Sequence, residues 1–111
     1  GLRYHGMAPL VSKLVDDGIV EARAVHQNAT FEAGVQFARA EGIVPAPESN
    51  HAVRVAIDEA LEAKRDGKPR TILFGLSGHG HFDLAAYEKY HAGNLEDFEY
   101  TPLERKEAVA A

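Results

Sequence analysis

Four residues have the type and setting to face a bound ligand: Glu48 in Pro45-Ala46-Pro47-Glu48-Ser49, and Ser77, Gly78 and His79 in Ser77-Gly78-His79-Gly80-His81. The Ser77 hydroxyl can donate or accept a hydrogen bond. Gly78 and Gly80, set around a histidine, let the backbone approach a ligand closely. An ordinary strand-to-helix turn has the same spacing, and the residue types alone do not separate the two. Glu48 follows two prolines and precedes a helix, which allows its carboxylate to face a pocket. Capping the free amides of that helix accounts for it equally well.

His79, His81 and Asp83 form a His-x-His-x-Asp string similar to that of metallo-β-lactamase-like hydrolases, which continue with a further His directly after the Asp. Here that position is Leu84. A zinc or iron site takes three or four convergent ligands, and His5, His26, His51 and His91 show no compact ligand spacing. No metal site is expected, and a metal-dependent hydrolase stands as a competing reading.

Periodicity prescribes the elements that position these residues. Pro9 suits a first helical turn, and Leu10, Val11, Leu14 and Val15 recur at helical spacing up to Gly18, which gives a helix over 8–17. Val20, Ala22 and Ala24 alternate with Glu21 and Arg23, the pattern of a short strand with one buried face. Asn28 is expected to cap a second helix with Phe31, Val35 and Ala38 on one face, and Gly42 to end it in a left-handed conformation. Ile43 to Pro47 must be extended or turned, because Pro45 and Pro47 bias their predecessors away from helix. A third helix carries Val53, Ala56, Ile57, Ala60 and Leu61 as an apolar stripe after Ser49 and Asn50, and stops at Gly67 and Pro69. Thr71 to Leu76 reads as a strand buried on both faces, and a fourth helix covers Leu84 to Tyr90.

Alternation of helix and strand implies an α/β chain, a three-layer α/β/α segment with a largely parallel sheet. Ligands settle outside the carboxyl ends of such strands, and Ser77 to Gly80 lies at one. Residues 1–93 are expected to form the folded segment. Residues 94–111 are polar, acidic and interrupted by proline, and read as a surface tail in which Glu96 to Glu99 are solvated.

The chain has 111 residues, enough for one small domain, and 45% of them are hydrophobic. No apolar run approaches the roughly 18 to 20 residues of a membrane span, and no signal peptide is recognisable. A soluble, cytoplasmic protein is expected. Without cysteine there are no disulfides, thiolate metal sites or Cys nucleophiles. Acidic residues number 17 against 12 basic, a formal net charge of −5, so no positive field favours nucleic acid as a partner. The first residue is Gly1, not Met, and the opening reads as that of a chain whose beginning is missing.

The run Glu41-Gly42-Ile43-Val44-Pro45-Ala46-Pro47-Glu48-Ser49-Asn50-His51-Ala52 resembles the E-G-I-x-P-A-x-E-S-x-H-A segment of tryptophan synthase β subunits. Ile72-Leu73-Phe74-Gly75-Leu76-Ser77-Gly78-His79-Gly80 is similar to their strand ending N-L-S-G-R-G, in the same order with a helix between. Gly1-Leu2-Arg3-Tyr4 with Ala8-Pro9 resembles a third, upstream block, and the likeness extends over about residues 1–92. Gly75 stands for the family's Asn and His79 for its Arg, which resembles the divergent second-type β branch.

The resemblance implies the C-terminal part of a fold-type II, pyridoxal-phosphate-dependent lyase that condenses L-serine with indole to give L-tryptophan and water, as a homodimer. It implies that Ser77 hydrogen-bonds the pyridine nitrogen and that Glu48 lies beside the cofactor ring, with Gly78 and His79 as further cofactor contacts. No segment matches the family's Schiff-base lysine or Gly-rich phosphate loop, and each of the five lysines sits in a context that suggests exposure. The chain alone is therefore expected to be inactive. A non-catalytic binding domain derived from the enzyme is a further alternative.

Overall fold

The structure is a computed structural model that describes residues 6–98. Its elements are four α-helices, α1 (Pro9–Asp16), α2 (Gln27–Glu41), α3 (Asn50–Asp66) and α4 (Leu84–His91), with a 3-10 turn at Gly80–Phe82 before the last. Pro9 stands in the first turn of α1, where its missing N–H has no partner to lose. Gly42 and Gly67 follow α2 and α3 with φ of 71° and 65°, the left-handed stops expected from their positions.

The core lies where α2, α3 and α4 meet. Phe31, Ala33, Val53 and Tyr87 are buried. Phe31 meets Tyr87 edge-on at 5.0 Å between ring centroids and stacks on Tyr90 at 5.8 Å, geometries that suit the ring quadrupole. The apolar stripe of α3 is covered unevenly, since Val53 is buried and Leu61 is exposed.

The expected three-layer α/β/α arrangement with a largely parallel sheet is corrected by the structure. Among the described residues there is no strand, and neither Val20 to Ala24 nor Thr71 to Leu76 has a ladder partner. A helix closes its hydrogen bonds within its own segment, whereas a strand exists only beside another strand. Apolar patterning signals a strand's faces but supplies no neighbour. Burial of Thr71 to Leu76 on both faces fails for the same reason: Leu73 is 95% exposed, and Phe74, half-buried against Phe37, is the exception.

Charge pairing holds both extended segments to α3. Arg23 donates to Glu21 and Glu59, and Arg70 to Glu59 and Glu62. The bond from Arg23, then its charge and the same contributions from Arg70, outweigh desolvation and hold the Glu59 carboxyl below its ordinary value.

Asn28 does not cap α2. The helix starts one residue earlier, and the N-cap residue His26 makes no side-chain cap bond. Asp97 does the capping from a distance, its carboxylate accepting from the Asn28 N–H at 3.0 Å, while the Asn28 side chain donates to the Leu95 carbonyl. The backbone bond from Asn28 is the main cause of a lowered Asp97 carboxyl pKa. Glu96 and Asp97 are exposed, and Glu99 lies outside the described residues. The upstream block at 1–4 lies outside them too. No helix among the described residues is long and apolar enough to cross a membrane.

Candidate functional site

Two turns bring the sequence motifs together. The first, Val44 to Ser49, leads into α3; the second, Ser77 to Gly80, leads through the 3-10 turn into α4. The Gly80 N–H donates to the Val44 carbonyl at 2.8 Å. A Cβ at Gly80 would stand 2.6 Å from the Pro45 carbonyl oxygen and 2.6 Å from Val44 Cγ1, so the approach is possible only for glycine. Gly78 has φ of 70°, and a Cβ there would meet that of Ala46 at 3.3 Å. Its glycine is thus favoured by the backbone conformation, and the space beside it is tight.

A second set of bonds fixes the first turn from behind. The Tyr87 hydroxyl of α4 donates to the Pro45 carbonyl at 2.7 Å and accepts from the Asn50 side-chain amide at 3.0 Å. Asn50 is fully buried and packs against Gly34 of α2, where a Cβ would come within 2.6 Å of its amide. Burial raises the Tyr87 pKa above its ordinary value, the Asn50 bond acts against that, and the Asp83 charge adds to it.

Of the residues singled out from sequence, Glu48, Ser77, Gly78 and His79 are all exposed. Ser77 is joined to the residue after Glu48: the Ser49 hydroxyl donates to the Ser77 carbonyl and lies 3.3 Å from the Ser77 hydroxyl. Glu48 lines a cleft of about 270 Å³ with Pro47, Phe31, Asp83 and Lys89, and Ser77 is not among its lining residues. The structure therefore pins the two motifs together through Ser49 without opening both side chains onto one enclosed cavity.

His79 Nδ1 accepts from the His81 N–H at 3.3 Å. The His79 and His81 rings are 4.7 Å apart. Among the described residues no group of three or more His, Asp or Glu converges as metal ligands.

Sequence reasoning passed over Ser49, Asn50 and Tyr87. Ser49 and Asn50 have an adequate local explanation as polar residues at a helix start. Tyr87 meets a carbonyl 42 residues away, and periodicity carries no signal for such a contact.

No family model matches the chain. Curated relatives do. A tryptophan synthase beta chain 2 of Methanosarcina mazei is 64% identical over 96 residues, 86% of this chain and 22% of the relative. The Pyrococcus abyssi protein of the same name is 63% identical over 99 residues, 89% and 22%, and that of Aquifex aeolicus is 62% identical over 97 residues, 87% and 22%. The chain thus spans about a fifth of the length of the relatives it matches.

Proposed function

We infer that the chain, which over this matched stretch belongs to the tryptophan synthase β-chain family, forms one wall of a pyridoxal phosphate site in a longer polypeptide that condenses L-serine with indole. The products are L-tryptophan and water, and the reaction class is that of a lyase. The observation that supports this reading most is the convergence of the two matched motifs, with Ser49 hydrogen-bonded to Ser77 at the junction. A homodimer and a cytoplasmic setting belong to the same proposal.

The residues present fit part of such a group. Ser77 has an exposed hydroxyl that would serve the ring nitrogen, Glu48 an exposed carboxylate that would lie beside the ring, and the Gly78 turn a surface without side chain. His79, also exposed, follows directly in the chain. The Schiff-base lysine and the phosphate loop have no counterpart in this sequence, so the 111-residue chain binds no cofactor covalently and does not turn over by itself.

When bound, pyridoxal phosphate supplies the electron sink for the reacting amino acid carbon. The part of this chain is to set the charge around the ring. A neutral hydroxyl from Ser77 satisfies the ring nitrogen without forcing a proton onto it, which a carboxylate would do. That moderates the electron demand and suits a reaction in which the amino acid expels its leaving group promptly.

The test is Ser77→Asp in the full-length polypeptide. A carboxylate at this position raises the proton affinity of the ring nitrogen, and β-replacement with serine should slow on the order of tenfold while the cofactor remains bound. Unchanged turnover and unchanged cofactor spectra would remove Ser77 from the ring nitrogen.

A further inference from the structure

Glu48 is exposed, yet Pro45, Pro47, Ser49 and Asn50 around it are all buried. A carboxylate on such a turn stands where its backbone is held, and this backbone is held from α4. The Tyr87 hydroxyl donates to the Pro45 carbonyl at 2.7 Å, and the Asn50 amide donates to that hydroxyl at 3.0 Å. A hydroxyl has a single proton. With the Asn50 N–H on one lone pair, that proton goes to Pro45, and Asn50 keeps its place because Gly34 has no side chain to displace it.

The same tyrosine touches the second turn. A Cβ at Gly80 would stand 3.1 Å from Tyr87 Cε2, so the ring edge lies against the end of the Ser77 turn. Phe31 meets that ring edge-on and backs it. Because α4 follows closely on the Ser77 turn, a hydroxyl on α4 that reaches a carbonyl 42 residues back fixes one motif turn against the other. Packing alone does not call for the hydroxyl, since a phenylalanine would present the same ring to Phe31 and Gly80, and a buried hydroxyl is costly unless bonded.

We propose that Tyr87 is a positioning residue, whose hydroxyl sets the Glu48 turn at a fixed distance from the Ser77 turn so that the Glu48 carboxylate meets the cofactor ring. This rests on the reading of Glu48 as a neighbour of that ring. Tyr87 touches no reacting atom and acts through the Pro45 carbonyl and the turn that follows it.

The experiment measures pyridoxal phosphate affinity in the full-length polypeptide, as the dissociation constant from equilibrium titration of the apoprotein. Tyr87→Phe keeps the ring, removes the hydroxyl and should weaken binding about fivefold, the scale of one lost hydrogen bond. Glu48→Ala should weaken it at least as much, and in that background the effect of Tyr87→Phe should shrink to less than about twofold. Val53→Ala, a core truncation that destabilises the fold without touching the hydroxyl network, should stay within about twofold of the parent. The visible circular dichroism of the bound cofactor, which reports the asymmetry of the groups around its ring, should change with Tyr87→Phe and not with Val53→Ala.

Equal effects of Tyr87→Phe in both backgrounds, or a Val53→Ala protein that matches it in affinity and spectrum, would mean that Tyr87 serves the fold alone, and would overturn the proposal. So would a neutral Tyr87→Phe beside a weakened Glu48→Ala. A Glu48→Ala protein that binds the cofactor unchanged would withdraw Glu48 from the ring, and this proposal with it.

Discussion

The junction of the Val44–Ser49 and Ser77–Gly80 turns with α2, α3 and α4 contrasts with the extended segments that flank α3. Both regions carry apolar residues that periodicity assigns to a buried face. In the first, Phe31, Val53 and Tyr87 are buried and the Tyr87 hydroxyl, the Asn50 amide and the Pro45 carbonyl satisfy one another. In the second, Leu73 is 95% exposed and contact with α3 runs through arginine–carboxylate pairs at the surface. Helices and tight turns close their own hydrogen bonds and then need only a face to pack on. Extended backbone needs a neighbour first.

The contrast is broken most severely at Gly80. Gly80→Ala drives a methyl into the Pro45 carbonyl and Val44, and an overpacked backbone contact costs about 3 kcal/mol. Thermal unfolding of the chain should show that loss, and the same change in the full-length polypeptide should weaken pyridoxal phosphate binding. A neutral result would mean the two turns are not held against each other.

Tyr87→Phe comes next. It leaves the Pro45 carbonyl and the Asn50 amide without their shared partner in a buried site, at a cost of about 2 kcal/mol. The variant also reports on pH. Burial raises the folded-state pKa of Tyr87 above its ordinary 10.0, so the unfolded chain releases this proton first. The stabilisation is complete below that ordinary value and is lost as pH rises past it toward the folded-state value. Base denaturation of the parent should therefore steepen above pH 10, and Tyr87→Phe should flatten that limb.

Smaller effects are expected in the extended segments. Glu59→Gln removes the carboxylate shared by Arg23 and Arg70, and such exposed pairs contribute little and are screened by salt. Its thermal melt should differ slightly from the parent at low ionic strength and coincide with it in high salt. Leu73→Ser should be the mildest, within about 0.5 kcal/mol of the parent, because its side chain is already in water. A large loss at Leu73 would show that the segment has a packing partner in solution.

Legibility in the sequence followed the same division. The spacing from Pro9 to Gly18, the stops at Gly42 and Gly67 and the helix from Leu84 are local features, and each lies within a residue or two of its expected place. The helix-two cap was misplaced onto Asn28 because a local candidate stood there, whereas Asp97, 69 residues away, does the work. The β-rich run Thr71 to Leu76 misled for a related reason. Its composition describes what would cover a strand, and no sheet neighbour is present among the described residues. At the site, the likeness of two motifs points to Glu48 and Ser77, while Ser49 reads only as a polar residue at a helix start, which hides its bond to Ser77.

The central claim, that Ser77 faces the pyridine nitrogen across the junction with the Glu48–Ser49 turn, is tested most directly by a crystal structure of the full-length polypeptide with pyridoxal phosphate bound. The account predicts the Ser77 hydroxyl within about 3 Å of the ring nitrogen, in hydrogen-bond range, with Ser49 still on Ser77 and Glu48 beside the ring. A different side chain opposite that nitrogen, with the Ser77 hydroxyl beyond about 4 Å, would contradict it.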